Sequence, residues 1–178
     1  MSSTVRPDNL RAALDAKLAA AMSQLVELRE AEQPRVTPHL SAREIIGAFL
    51  GYARSIYSVA AAFGSQQVGD LQFNSWYAQW TGKLSDPDRA LWKQLRDDRS
   101  PQHHGLSSLL TELEIAVAAD PSVTVDQTQP GTRPGLRKRI VRFATAPERA
   151  ASDVCEDYLR LAKRFAGEFI RDHTQWLR

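Results

Sequence analysis

Cysteine occurs once, at Cys155, so no internal disulfide can staple the chain and the fold must rest on packing. Histidine is nearly as sparse, at His39, His103, His104 and His173, and no H-x-x-x-H or E-x-x-H spacing exists to seat a metal. Long apolar runs are missing too. The most apolar stretch, residues 45–63, carries Arg54, two serines and two glycines. A spanning helix needs about 20 uninterrupted apolar residues, so a transmembrane role is excluded. The amino terminus, M-S-S-T-V-R-P-D-N-L-R, places charges where a signal peptide needs an apolar core, and the cytoplasm is the expected location. No G-x-x-x-x-G-K-[ST] phosphate loop is present, which removes support for nucleotide triphosphatase chemistry. No cofactor is called for.

What is there suits one globular domain. A chain of 178 residues removes roughly 70% of its unfolded surface from water on folding and is too short for two ordinary domains. Hydrophobic residues at 43% and charged residues at 25% argue against wholesale disorder or a fibrous repeat. The formal charge of +2 is small, so attraction to nucleic acid must come from local clustering of bases.

Periodicity predicts helices over most of the length. In residues 8–31, Leu10, Leu14, Leu18, Met22, Leu25 and Leu28 recur at steps of three or four, and Pro34 and Pro38 end the run. A second helix opens at the capping box Ser41 to Glu44, continues through Ile45, Phe49, Ala53, Ile56, Ala60 and Phe63, and is expected to stop at Gly64. Phe73, Trp76, Tyr77 and Trp80 mark a short aromatic helix ending near Gly82, read as a core stripe, with a base-stacking platform as the alternative. S-D-P-D at residues 85–88 caps a helix carrying Leu91, Trp92 and Leu95. Pro101 must kink or end it. Beyond that break, Leu106, Leu109, Leu110, Leu113 and Val117 are expected to continue a helical apolar face.

Residues 122–143 change character. V-T-V-D-Q-T and L-R-K-R-I-V-R-F flank two Pro-Gly turn signals, which predicts a β-hairpin with a long tip whose return strand is basic: Arg133, Arg137, Lys138, Arg139 and Arg142. T-A-P-E at residues 145–148 reads as a third capping box, opening a last helix lined by Val154, Tyr158, Leu161, Phe165, Phe169 and Trp176. The expected fold is all-α: an antiparallel bundle of four or five helices with a β-hairpin inserted before the last.

The chemistry concentrates in L-R-D-D-R-S-P-Q-H-H-G, residues 95–105. An arginine's planar fork can hold two phosphate oxygens and offset charge that builds during transfer, while a histidine titrates near pH 6.5 and can move a proton. Backbone amides at a helix start would add to such an anion site. On an unbroken helix His103 lies near Arg99 and Arg96, but the break at Pro101 keeps both His103 and His104 as candidates.

R-S-P-Q-H-H-G at residues 99–105, preceded by W-K-Q-L-R-D-D, resembles the signature of HEPN domains (higher eukaryotes and prokaryotes nucleotide-binding). In that family an arginine followed by a polar residue precedes a histidine by four to six positions. Arg99 to His104 matches with a following glycine; Arg96 to His103 is a second register. The resemblance implies a single helical domain over residues 1–178 with residues 122–143 as a hairpin insertion. It also implies a symmetric homodimer with the motifs facing each other, and in active members a metal-independent endoribonuclease. There the ribose 2′-hydroxyl attacks the adjacent phosphate and leaves a 2′,3′-cyclic end. Carried over, Arg99 stabilises the phosphate and His104 acts as acid or base, with Ser100 where the family usually carries Asn, Asp or His. Arg96, Ser100, His103, Arg137, Lys138 and Arg139 are the expected substrate contacts. RNA and a cognate antitoxin or regulatory protein are the partners it suggests.

Plainer readings stand beside these. Arg96, Asp97, Asp98 and Arg99 can be an exposed helix end with surface ion pairs. The basic hairpin can grip an RNA backbone or simply guard a sheet edge. Cys155, on the core edge of the last helix, reads as packed and not nucleophilic. The rival to an RNA-cleaving domain is a non-catalytic interaction module of the same shape.

Overall fold

The computed structural model describes residues 7–33, 40–97, 110–117 and 136–173. In chain order these form α1 (Pro7–Glu32), α2 (Ala42–Gln67), α3 (Asp70–Gly82), α4 (Asp86–Asp97), β1 (Leu110–Val117), β2 (Leu136–Phe143) and α5 (Ala151–Asp172). The result is a helical bundle with a two-stranded antiparallel hairpin between the fourth helix and the last.

Local signals account for most helix starts. Ser41 accepts from the Glu44 amide at 3.3 Å and Glu44 accepts from the Ser41 amide at 2.8 Å, so the box at the head of α2 is closed. Its bonds to Ser41 hold the Glu44 carboxyl below its usual range. Ser85 accepts from the Asp88 amide at 3.3 Å and starts α4. By length and composition α2 could cross a bilayer, yet Ile45, Ile46, Phe49, Leu50, Ile56 and Phe63 are buried in the bundle core. That makes it the apolar centre of a packed protein.

The core closes on α5. The ring of Phe165 meets six others: Tyr57 from α2, Trp76, Tyr77 and Trp80 from α3, Trp92 from α4, and Phe169, at centroid distances of 5.1 to 6.2 Å. Phe73 and Trp80 are buried and Trp76 and Tyr77 pack partly buried against them, so the aromatic stripe of α3 belongs to the core.

Three sequence expectations are corrected. Gly64 does not stop α2, which continues to Gln67. A Cβ at Gly64 would stand 2.9 Å from Cγ of Phe73 and nearer still to the ring edge, so glycine there lets α3 approach. The turn is made instead by Gly69 at φ +96°, and the Gly64 carbonyl accepts from the amides of both Val68 and Gly69 at 2.9 Å.

The second correction concerns the hairpin. Leu110, Leu113 and Val117 belong to strand β1, where helix was expected, and β1 pairs with β2 in the register Thr111 to Arg142, Leu113 to Ile140 and Glu114 to Arg139. The spacing of the leucines fits a helix, but E-L-E-I also alternates at period two, and the pairing sets an acidic strand against a basic one. The return strand falls where expected. The V-T-V-D-Q-T segment lies outside the described residues, as do Pro34, Pro38, Pro101, Leu106, Leu109, Arg133 and Trp176.

Third, T-A-P-E does not cap α5. The helix begins at Ala151, and its N-cap Ala150 makes no side-chain bond. The cap comes from the far end of α1: Glu32 accepts from the Ala151 amide at 2.8 Å, from the Ser152 amide at 3.3 Å and from the Ser152 hydroxyl. Arg142 of β2 reaches the same carboxylate at 3.4 Å, with both side chains less than a fifth exposed. Glu32→Ala removes a cap worth about 1 to 2 kcal/mol and leaves a mostly buried guanidinium without its counter-ion, bonded only to the Val141 carbonyl among these contacts. The expected loss in urea unfolding is about 2 to 4 kcal/mol in total. A loss below about 0.5 kcal/mol, the level of an ordinary surface change, would mean that water replaces the carboxylate.

Candidate functional site

The last turn of α4 is the described part of the candidate site. Trp92 and Arg96 stand one turn apart on the same face of this helix, and both reach the hydroxyl of Tyr77 on α3. Trp92 Nε1 donates to that oxygen at 2.8 Å, and the Arg96 guanidinium donates to it as well. The guanidinium carbon lies 5.0 Å from the ring centroid of Tyr77 and 5.1 Å from that of Tyr57, within cation–π range. Tyr57 and Tyr77 meet edge to face at 5.1 Å. Arg96 is therefore seated at the edge of the aromatic core, where the plain reading expected a solvated helix end. The chain leaves α4 from a fixed point.

A second tie holds the same turn. Gln94 and Thr145 exchange hydrogen bonds, amide nitrogen to hydroxyl at 3.0 Å and hydroxyl to amide oxygen at 3.3 Å. Thr145 lies two residues after β2, so the end of α4 is fastened beside the root of the basic strand. On β2 the backbone register sets Arg137 opposite Ala116, Lys138 opposite Ile115 and Arg139 opposite Glu114. Arg142 is committed to Glu32. On β1, Glu112 approaches Arg43 of α2 at 3.6 Å, which fastens the hairpin to the bundle from its other strand.

Arg99, Ser100, His103 and His104 lie outside the described residues. Cys155 is fully buried, and burial, with the Glu32 charge second, pushes its thiol well above the usual range. It is a packed thiol and not a nucleophile. His173 is buried at the end of α5, with Nδ1 2.9 Å from the Phe169 carbonyl and its ring 5.2 Å from Trp76. Beside it, Trp76 Nε1 donates to Asp172 at 3.0 Å. Among the described residues no three His, Cys, Asp or Glu side chains gather around one point.

Tyr57 and Gln94 went unmarked in the sequence, while Tyr77 was read only as part of the aromatic stripe and Thr145 only as the head of a capping box. Only the i, i+4 spacing of Trp92 and Arg96 carries a trace of the clamp, because its tyrosine partners sit on other helices. Tyr77→Phe keeps the ring and deletes the shared acceptor, leaving the N–H of buried Trp92 unpaired. Denaturant unfolding should show a loss of about 1 to 3 kcal/mol. An unchanged midpoint would mean that ring packing alone seats Arg96. No protein-family model, curated protein or solved structure matches this chain.

Proposed function

We propose that the protein is an RNA-binding helical domain of the HEPN type, with Arg99 and His104 acting on the ribose–phosphate backbone. The observation that carries this reading is the Gln94–Thr145 link, which ties the exit of α4, immediately before the motif, to the C-terminal end of the strand whose opposite end bears Arg137, Lys138 and Arg139. The helix that leads into the motif and the strand that carries the bases are thus joined, with the bases about 20 to 26 Å along the strand from the link. The engagement of Arg96 with Tyr57 and Tyr77 favours the register in which Arg99 is the phosphate partner. Arg96 would then position the segment without meeting RNA.

In this reading the Arg99 fork offsets the charge on the phosphate while His104 accepts the proton of the 2′-hydroxyl. The 2′-oxygen bonds to phosphorus, the bond to the 5′-oxygen breaks, and that oxygen takes up a proton. No metal enters any step. Arg137, Lys138 and Arg139 would add sequence-independent, salt-sensitive affinity, and Ser100 and His103 would contact the same backbone. A homodimer and a cognate antitoxin or regulatory protein belong to the same proposal. Ser100, standing where the family usually carries a larger polar residue, favours a second reading: a domain of the same type that binds without cutting.

The test incubates labelled RNA with the protein in EDTA. Wild type should leave 2′,3′-cyclic phosphate ends, and Arg99→Ala and His104→Ala should each slow cleavage by about 10²-fold or more, the usual scale of a placed proton donor or acceptor. His103→Ala should cleave normally. Equal cleavage by wild type and His104→Ala would overturn the assignment, and binding without cleavage by any form would select the second reading. Replacing Arg137, Lys138 and Arg139 together by Gln should flatten the log–log salt slope of RNA binding by about 2. An unchanged slope would remove the hairpin from the interface.

A further inference from the structure

Between α1 and α5, which run antiparallel, lies a groove of about 650 Å³. Its α1 wall is apolar: Met22 is 46% and Val26 53% exposed, above a floor of buried Leu25 and Leu159. The α5 wall is charged and its charges are ordered, with Asp153 and Glu156 toward the start of the helix and Arg160 and Lys163 further along. Glu156 is paired with Arg29 at 2.6 Å and Arg160 with Asp88 at 2.8 Å. Asp153 and Lys163 make no ion pair with any described residue. They mark the two ends of the charged wall, ten residues or about 15 Å apart along α5.

A cleft between two packed helices accepts a third helix, whose side chains fill the furrow that the first two leave. Apolar anchors at i, i+4 and i+7 of such a helix span about 10 Å, which fits between the two free charges. A helix carrying only acids, or only bases, gains at one end of the wall what it loses at the other. One with a base and an acid about three turns apart on its anchor face gains at both ends. A second copy of this chain does not supply that shape. Across a twofold axis it presents the same concave surface, and a groove does not fill a groove; a contact through any other face runs head to tail into a ring or a filament.

We propose that the α1–α5 groove is the docking site for an amphipathic helix of a different protein, with an apolar stripe flanked by a basic residue at one end and an acidic residue at the other. The basic residue faces Asp153, the acidic residue faces Lys163, and the stripe covers Met22, Leu25 and Val26. The inference uses no residue of the RNA reading and stands or falls without it.

Fluorescence anisotropy of labelled, alanine-based helical peptides added to the full chain tests it. Each peptide carries leucines at i, i+4 and i+7, flanked by Lys and Glu, by Lys and Lys, or by Glu and Glu. Wild type should bind the Lys/Glu peptide about fivefold more tightly than either uniform one, with the preference fading in added salt. Lys163→Glu should turn the preference to the Lys/Lys peptide, and Asp153→Lys should turn it to Glu/Glu. Val26→Asp should abolish binding. These positions are exposed, and circular dichroism checks that the helices remain in each variant. Arg99→Ala and His104→Ala should bind the peptides as wild type does, so a failure of the RNA reading leaves this result untouched. No binding of the Lys/Glu peptide, or equal binding of all three, overturns the proposal. So does a wild-type oligomer, seen by sedimentation equilibrium, that Val26→Asp takes apart, because the groove would then belong to a second copy.

Discussion

One carboxylate closes this fold. Glu32, at the end of the first helix, accepts two backbone amides and a hydroxyl at the head of the last helix and meets the guanidinium of Arg142 from the hairpin. The first turn of any helix presents amides without intrahelical partners, and the positive end of its dipole favours an anion there. Here α5 has no acceptor at its own N-cap, since Ala150 carries none. The cap is supplied across 119 residues of sequence, so α5 is not satisfied until α1 is in place. Burial raises the Cys155 thiol above its usual range, and the same charge adds to that rise. Packing, capping and thiol chemistry at this end of the bundle are therefore one arrangement.

From that end the argument runs along α5 to Phe165, where rings from α2, α3 and α4 converge. Aromatic pairs add roughly 0.5 to 1.5 kcal/mol each beyond the area they bury, and their flat shapes leave few alternative packings. Tyr77 belongs to this cluster and carries the oxygen that receives Trp92 and Arg96. The aromatic core thus continues without a gap into the clamp at the end of α4. A helix of 12 residues is marginal alone. This one is held at its start by Asp88 to Arg160, in its middle by Trp92, and at its end by Gln94 and Arg96. Whatever departs from Asp97 departs from a rigid frame, the setting that precise binding or chemistry requires.

How much of this could be read from sequence follows the range of each interaction. The starts of α2 and α4 were legible because Ser41 and Ser85 bond within three residues of themselves. The aromatic helix was legible because its rings recur at helical spacing. Gly64 misled because its reason lies on another helix, in the ring of Phe73. The first hairpin strand misled because Leu110, Leu113 and Val117 satisfy a helical period, while the acids that select a strand matter only once β2 lies alongside. The cap of α5 was invisible for the same reason. At the candidate site the sequence marks Arg96 and the bases of β2, yet the tie between α4 and the end of β2 needs Gln94, which no local pattern distinguishes, and Thr145, which the local pattern assigns to a helix cap.

Arg160 links two parts of the bundle, lining a groove between α1 and α5 and bonding Asp88 in the first turn of α4. That bond holds the Asp88 carboxyl below its usual range. It could in principle carry a signal from an occupied groove to the helix before the motif. Its size argues otherwise. Arg160 is 54% exposed at the side chain, and ion pairs of that kind are worth about 0 to 1 kcal/mol, at most about a fivefold shift in any equilibrium they bias. The seat of Arg96 on two tyrosines and the double bond of Gln94 to Thr145 fix the far end of α4 independently of Arg160. The geometry at the end of α4 is therefore decided by contacts inside the bundle, independently of what happens at the α1–α5 groove.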